Sequence, residues 1–484
     1  MNESSATSSC CATPAPGNAS GQTDASARLP LFALFGGAAF WLVLSSIFGL
    51  IGSIKFHGPK FLADSPDLTY GRVYPAWSNL LVYGFCIPAG LGAGLWLLGR
   101  LGRVRISRPW LVFLGAKLWH IGVLAGLIGI LTGGTTGFEW LEMPRYAAAI
   151  LFVSFVLIAL CGFDMHQERA EQNMFPSQWF VLAALFWFPW IYSSACLLLM
   201  VFPVRGVVQA GIAWWFSGNL LVVWLGLSGL AATLYFLPKL AKRPLKSRYL
   251  ALFAFLTLIV FGTWTGIPRH AALPAWMPAL SGAATLLVLV PSLAVSIITR
   301  ATTRGTAGCC GHMGYFKFGA CSFVLSGLML AATGVPEVAR VTDFTWYGPA
   351  QNYLRLYGFF SMTMFGAAYY ILPRVAGREF AWPGLLKAHF LCGAGGVALL
   401  VLPLAIGGVV QGFKLLNPAI SNIDLSKSTL LFLRISTLGE TLIALGAIMF
   451  LVNVLALMVA CYCAVYRKAR AEFTAVLEPA EVKA

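Results

Sequence analysis

Long apolar stretches separated by short polar connectors dominate the hydropathy pattern of this chain. A membrane-spanning helix needs about 20 mostly apolar residues. Twelve stretches qualify, covering residues 31–54, 76–99, 110–133, 146–163, 178–202, 208–237, 249–267, 276–299, 315–335, 346–373, 384–411 and 430–466. The pattern therefore predicts an all-α, polytopic membrane protein, a bundle of about twelve transmembrane helices.

Composition supports this prediction. Of the 484 residues, 59% are hydrophobic and 10% are charged, and the mean hydropathy is +0.79. A soluble domain carries about 25% charged residues, so the composition excludes a soluble globular enzyme.

The net charge of +16 is interpreted as a signal of membrane topology rather than of nucleic-acid binding. A nucleic-acid binder gathers Lys and Arg on one face or arm, whereas here they occupy the loops between apolar stretches. The loops on the side of the two termini hold the larger share, which places both termini in the cytoplasm of a cell with this protein in its inner (plasma) membrane. Two basic loops, 100–108 and 239–248, are interpreted as topology signals in contact with lipid headgroups, with partner docking as the alternative.

The ends of the chain differ from its middle. Residues 1–28 are rich in Ser, Ala, Thr and Gly and lack aromatic residues, which predicts a disordered cytoplasmic tail. The apolar stretch from Leu31 is too long for a secretory signal, so we expect it to remain as a helix. Residues 29–466 form the predicted transmembrane domain, and residues 467–484 form a cytoplasmic C-terminal tail.

Ionisable groups inside apolar stretches need an explanation, because they are costly in lipid and usually face the bundle interior. Lys117, Arg355, Arg434 and Glu440 are of this kind. Arg434 and Glu440 are six residues apart and point to different helix faces, so they do not pair with each other. Two interpretations stay open, structural pairing with other helices and a polar pathway through the membrane.

Histidines and cysteines offer little metal-binding potential. Only His120 and His389 lie within predicted spans, and a lone helical histidine is typically a hydrogen-bonded core residue. The motif Cys309-Cys310-Gly311-His312 lies in a predicted cytoplasmic loop and lacks the second half of a zinc site. We predict no metal site, and the role of this motif stays open.

Motifs at helix edges nevertheless recur in an informative order: Tyr70-Gly-Arg72 before Pro75, Gly133-Gly-Thr-Thr-Gly137 with Glu139-Trp140 and Glu142, Trp214-Trp215-Phe216 with Asn219, Tyr235-Phe-Leu-Pro-Lys239, Ala272-Leu-Pro274, and Tyr369-Tyr370 with Pro373-Arg374. In order and approximate spacing, the chain from Leu31 to Tyr466 resembles subunit I of the haem-copper oxidase superfamily. It is most similar to the cbb-type cytochrome c oxidases and their nitric oxide reductase relatives.

The resemblance implies a bundle holding a low-spin haem through two histidines, a high-spin haem through one, and a copper ion through three. This chain departs from that pattern at every one of these positions. The resemblance places Trp77 at a low-spin haem ligand, Gly218 at the first copper ligand, and Gln351 and Tyr353 at the His-x-His that serves both haems. The paired copper histidines are replaced by a shortened Ile267-Pro268-Arg269 stretch.

The chemistry of the replacements argues against metal binding. Indole offers no lone pair to iron, glycine has no side chain, and glutamine is a poor haem ligand. Tyr353 alone is a known type of haem ligand. These degenerate ligand positions indicate a pseudoenzyme without cofactors, in which bulky residues (Trp77, Trp215, Phe359 and Phe360) fill the bundle.

Three functional hypotheses follow. The first is a non-catalytic subunit I-like protein of a respiratory complex, beside other subunits such as a membrane-anchored cytochrome c or a catalytic paralogue. The second is a divergent oxidase or nitric oxide reductase subunit in electron transport, which keeps one haem b on Tyr353, His120 or His389. The third is a proton or small-solute channel that uses Lys117, Arg355 and Glu440. The sequence leaves open whether the protein is an enzyme.

Overall fold

The computed structural model describes residues 19–305 and 311–477, and within these ranges the chain forms helices and no strands. We label the long helices α1–α12; short helices at Pro66–Leu68 and Pro336–Thr342 lie in the connections. In order, the long helices are Ala19–His57, Tyr70–Gly102, Pro109–Leu131, Arg145–Gln167, Pro176–Val201, Val207–Ala241, Arg248–Gly262, Trp276–Thr303, Gly311–Thr333, 347–376, Pro383–Leu415 and Asn422–Leu477.

These helices confirm the all-α membrane architecture. Ten of those in the described ranges are long and apolar enough to cross a membrane. The other two are α7, which has 15 residues, and α10, which carries Arg355 and Arg374. The described ranges thus contain twelve long helices where the hydropathy pattern predicts spans.

Helices α2, α6 and α10 form the centre of the bundle. The most apolar stretch of α2 is 100% buried and that of α6 is 94% buried, against 61% or less in the other eight candidate spans. In α10, every residue from Leu354 to Pro373 is buried. The surrounding helices instead expose large apolar side chains such as Phe186 and Leu402, as expected of a lipid-facing ring.

Each central helix widens near its middle. The π-helical segments are Leu80–Cys86 in α2, Asn219–Trp224 in α6 and Leu354–Ser361 in α10. Such segments are rare and are frequent at functional sites. Their presence in all three central helices marks the middle of the bundle as the place to examine for chemistry.

The structure corrects two predicted boundaries between the terminal tails and the helical domain. Helix α1 begins at Ala19, inside the predicted tail of residues 1–28, and its first turns are packed: buried Asp24 accepts a hydrogen bond from Nε1 of Trp96 at 3.0 Å. Nε of Arg28 donates to the carbonyl oxygen of Val375 at 2.9 Å. Helix α12 continues to Leu477, into the predicted C-terminal tail.

Candidate functional site

Trp77 and Tyr353, two of the predicted degenerate ligand positions, lie against each other in the centre of the bundle. Their ring centroids are 5.3 Å apart, and Trp77 is 3% exposed. Nε1 of Trp77 donates a hydrogen bond to the hydroxyl of Tyr357, one turn further along α10, at 3.0 Å. The indole nitrogen is therefore a donor bound within the protein, with no lone pair to offer a metal.

Helix α1 accommodates this indole closely. A Cβ added to Gly49 would lie 2.7 Å from Cδ1 of Trp77, so glycine is what leaves room for the ring. The gap beside Trp77, Tyr353 and buried Glu440 measures about 20 Å³. A volume of about 10–15 Å³ holds one water molecule, so side chains occupy nearly all of the space between these rings and Glu440.

Gly218 lies in direct backbone contact with the segment that follows α7. A Cβ added to Gly218 would overlap the carbonyl oxygen of Thr265 and lie 2.9 Å from its carbonyl carbon. Gly266 has a φ of +107°, a conformation suited to glycine, and a Cβ there would overlap the carbonyl oxygen of Trp214. Two glycines thus let two backbones touch where the resemblance expects a histidine side chain and a copper ion.

Gln351 lines an open pocket of about 450 Å³ at one end of the central helices. The pocket walls combine aromatic rings with carboxyl groups, including Trp77, Trp140, Glu139 and Asp343. Among the described residues that line it there is no histidine or cysteine. The pocket is therefore suited to a polar organic molecule rather than to a soft metal.

Two carboxyl groups in the loop between α3 and α4 lie close to this pocket. Burial raises the pKa of Glu142 from its ordinary 4.5 to about 8, against the opposing effect of the hydrogen bond from Nδ2 of Asn79 at 2.6 Å. Burial likewise raises the pKa of Glu139. Both side chains are thus biased toward the neutral form, which accepts and donates hydrogen bonds but attracts cations weakly.

The structure does not bring the four predicted pathway residues together. Lys117 and Arg434 are exposed on the outside of the bundle, and Nζ of Lys117 lies 5.3 Å from the ring centroid of Phe113. Arg355 and Glu440 are buried, at 3% and 2% exposure. Nε of Arg355 and Oε2 of Glu440 have no hydrogen-bond partner among the described residues.

His120 and His389 are hydrogen-bonded core residues, as the sequence predicts. Nδ1 of His120 accepts from Nε1 of Trp41 at 3.1 Å, and its Nε2 lies 3.0 Å from the carbonyl oxygen of Ala33. Nδ1 of His389 lies 3.0 Å from the hydroxyl of Tyr369. Across the described ranges no group of three or more His, Cys, Asp or Glu is placed to hold a metal ion.

The Cys309-Cys310-Gly311-His312 motif is only partly within the structure. Cys309 and Cys310 fall outside the described residues, and His312 lies near the start of α9, its ring centroid 6.5 Å from that of Tyr370. The role of the motif remains open.

The expected core filling is corrected at one position. Phe359 and Phe360 are fully buried, at 0% exposure, and Phe359 packs on Gly229 so closely that a Cβ there would overlap its ring. Trp215 instead lies half-buried beside Trp190, 5.8 Å between ring centroids, on an apolar surface groove of about 360 Å³. The indole of Trp215 faces outward and does not fill the centre.

Comparison with known families identifies the scaffold. Residues 30–442 match the family model described as cytochrome c and quinol oxidase polypeptide I. The chain belongs to this family. It has 25% identity over 393 residues, 78% of this chain and 71% of the relative, to a cytochrome c oxidase subunit 1 homolog of Azorhizobium caulinodans.

A second relative is similar over most of the chain, and a solved structure has the same fold. The chain is 24% identical over 388 residues to the cbb3-type cytochrome c oxidase subunit CcoN1 of Stutzerimonas stutzeri, covering 77% of this chain and 81% of that one. A solved structure of a heme-copper terminal oxidase dimer shares its fold, with a TM-score of 0.68 at 16% identity over 88% of this chain and 84% of that chain.

Against the family pattern, the residues present do not fit the haems and copper of an oxidase subunit I. The position that the resemblance assigns to the low-spin haem holds two packed rings, with a gap of about 20 Å³ toward Glu440, and both rings also line the open pocket of about 450 Å³. The copper position holds a backbone contact. Tyr353 is the one replacement with a ligating atom, and its ring lies against Trp77.

Sequence reasoning missed the residues that close these sites. Tyr357 follows Tyr353 by four residues, so helical spacing alone predicts that the two tyrosines lie on the same face of α10. The Thr265–Gly266 contact with Gly218 had no such signal, because it joins segments 47 residues apart in different helices and loops.

Proposed function

We propose that this protein is a non-catalytic oxidase subunit I, a pseudoenzyme that keeps the membrane scaffold of its family and binds neither haem nor copper. The observation that carries the proposal is the contact of Gly218 with the Thr265–Gly266 backbone. A copper ligand there needs both a side chain and space for a metal, and any Cβ at Gly218 meets a carbonyl oxygen. The scaffold would have to move before the site existed.

The low-spin haem position supports the same proposal independently. Restoring a single ligand would not reopen it, because Trp77, Tyr353 and Tyr357 are bonded or packed to one another. The oxidase chemistry that the resemblance implies passes electrons through haem and copper centres, and the side chains at these positions offer hydrogen-bond donors and apolar rings instead. A structural or assembly role fits this arrangement.

We further propose a place for the protein beside catalytic subunits of a respiratory complex in the inner (plasma) membrane, with both termini in the cytoplasm. Members of the family usually work in multi-subunit respiratory complexes, and the excess of Lys and Arg on the side of the termini supports the orientation. A membrane-anchored cytochrome c or a catalytic paralogue is the kind of partner that the scaffold favours.

The test is cofactor analysis of the chain purified from its native membrane. We expect iron, copper and pyridine haemochrome signals far below one per chain, and we expect co-purifying subunits, identified by mass spectrometry, to carry any haem. A related catalytic subunit I prepared in the same way serves as the positive control. One haem per chain, lost on Tyr353→Phe, would establish the divergent oxidase instead.

The channel hypothesis receives less support from the geometry. A pathway needs polar groups in a connected row across the membrane, and Lys117 and Arg434 lie outside the bundle while Arg355 and Glu440 lie within it. Proton flux in proteoliposomes that disappears in Glu440→Gln would revive this alternative.

A further inference from the structure

The three central helices end in the same short pattern. An aromatic residue is followed four positions later by a cation: Trp96 and Arg100 in α2, Tyr235 and Lys239 in α6, and Tyr370 and Arg374 in α10. Residues four apart lie on the same helix face. We call Arg100, Lys239 and Arg374 the basic triad.

The aromatic residues of this pattern contact one another and form a shared layer of rings, which we call the floor. The ring centroid of Trp96 lies 5.9 Å from that of Tyr235 and 6.0 Å from that of Tyr370. Phe236 completes the floor, stacked on Trp96 at 5.8 Å and 5.0 Å from Tyr370. Because the rings touch, the three helix ends are held together, and the cations one turn beyond are gathered over the floor.

The cations themselves lie close to the floor and to one another. The guanidinium of Arg374 lies 3.4 Å from the ring centroid of Tyr370, and that of Arg100 lies 5.7 Å from the ring centroid of Trp96. The positive charges of Arg100 and Arg374 both act on the ammonium of Lys239. Three like charges therefore converge at one end of the bundle.

The acidic groups nearby do not neutralise the basic triad. Asp24 forms an ion pair with Arg100 at 3.4 Å. Neighbouring arginines have their own acids, Arg103 with Glu171 and Arg108 with Asp164. Lys239 and Arg374 form no ion pair with any described residue, so two members of the basic triad have no acidic partner within the described ranges.

A helix C-terminus favours a single nearby cation, and this accounts for each member of the triad alone. It does not account for their convergence, since like charges repel at short range. A multivalent anion seated between them would relieve that repulsion. Guanidinium and ammonium groups together are the usual donors to phosphate oxygens.

We propose that the basic triad binds a phosphate group at this end of the bundle. Basic pockets between transmembrane helices are known to bind anionic lipid headgroups, and a soluble phosphate or diphosphate has the same chemistry. Lys239 is exposed and Arg374 is half-buried, so the site is open to either source. The inference concerns a different end of the helices from the ligand positions and does not depend on the proposed function.

The experiment uses the full chain in a neutral detergent and in nanodiscs. Inorganic pyrophosphate binding is measured by calorimetry in the detergent, and phosphatidic acid retention against phosphatidylcholine is measured by native mass spectrometry from nanodiscs. The test variant is the double substitution Lys239→Gln and Arg374→Gln. The matched control is Arg243→Gln with Lys246→Gln, which removes two positive charges from the adjacent loop.

We expect the triad variant to weaken binding about 25-fold, roughly fivefold for each cation removed, while the control variant stays within about twofold of the native protein. Loss in the pyrophosphate arm identifies a soluble phosphate site, and loss confined to phosphatidic acid identifies a lipid site. No binding of either probe by the native protein, or equal loss in both double variants, would overturn the proposal.

The single variant Lys239→Gln distinguishes a loss of binding from a loss of folding. Its side chain is exposed and joins no described ion pair, so we expect native elution on size exclusion with binding weakened about fivefold. Lys239→Arg should restore binding, because it keeps the charge. Failure of the arginine variant to restore binding would contradict the site.

Discussion

The positions that the resemblance assigns to the low-spin haem and to the copper ion are closed in two different ways. At the first, large side chains occupy the space: Trp77 and Tyr353 pack ring against ring, and Gly49 makes room for the indole. At the second, the side chain is absent and the backbones of Gly218 and Thr265 meet. One site is filled and the other has collapsed.

The difference matters for what each site tolerates. A filled site depends on the volume of its side chains, so trimming them opens a cavity at a graded cost. A collapsed site depends on the absence of side chains, so any addition forces the backbones apart. Smaller residues should therefore destabilise the protein at the filled site, and larger residues should destabilise it at the collapsed site.

The largest effect is expected at the collapsed site. Gly218→Ala should lower stability by about 1–3 kcal/mol, because its Cβ overlaps the carbonyl oxygen of Thr265. Gly218→His should prevent folding of a detergent-stable protein. Thermal unfolding and monodispersity in detergent measure both.

The matched control for these variants is Gly71→Ala, since a Cβ at Gly71 meets no atom within 4 Å. It should unfold within a degree or two of the native protein. A Gly218→Ala protein as stable as this control would show that α6 and the Thr265–Gly266 segment are not in contact, and the argument for a collapsed copper position would fail.

The filled site should respond to shrinkage. Trp77→Ala should cost about 3–5 kcal/mol, since the ring is 3% exposed and the gap between it and Glu440 measures only about 20 Å³. Trp77→Phe keeps most of the volume and loses the hydrogen bond to Tyr357, so about 1 kcal/mol is expected. Unfolding midpoints that fall equally in both variants would mean that the hydrogen bond, not volume, closes this site.

Whether the sequence predicts a feature of this fold or of its closed sites depends on the kind of contact that forms it. The spans follow from local hydropathy, and the burial of His389 and Phe360 follows from their position in those spans. The outward direction of Trp215 and Lys117 does not, because a helix that is apolar all round gives no signal of which face meets lipid. The closure at Gly218 rests on a backbone contact between distant segments, which no local pattern encodes.

A smaller effect links the filled site to pH. Glu142 lies beside Asn79, two residues after Trp77, and burial raises its pKa to about 8. A carboxyl group with a raised folded-state pKa favours the folded state fully below its ordinary value of 4.5, and this contribution is lost as the pH rises toward 8. The native protein should therefore lose stability between about pH 5 and 8.

The comparison for this pH effect is Glu142→Gln, which stays neutral and keeps an oxygen for Asn79. Its unfolding midpoint should change less than that of the native protein over the same pH range. Identical pH profiles for the two proteins would show that Glu142 ionises freely in the folded state, contrary to its burial at 4% exposure.

The smallest effect concerns Arg355, which follows Tyr353 by two residues on α10. Its Nε has no described partner and the side chain is 3% exposed. Replacing a buried charge by an apolar side chain of similar length is often neutral or stabilising, so Arg355→Met should raise the unfolding midpoint by a few degrees. Lys117→Met, at an exposed position, should leave it unchanged. A marked loss of stability in Arg355→Met would mean that the guanidinium bonds to a group that the closed sites still require, and the centre of the bundle would then be maintained for more than packing.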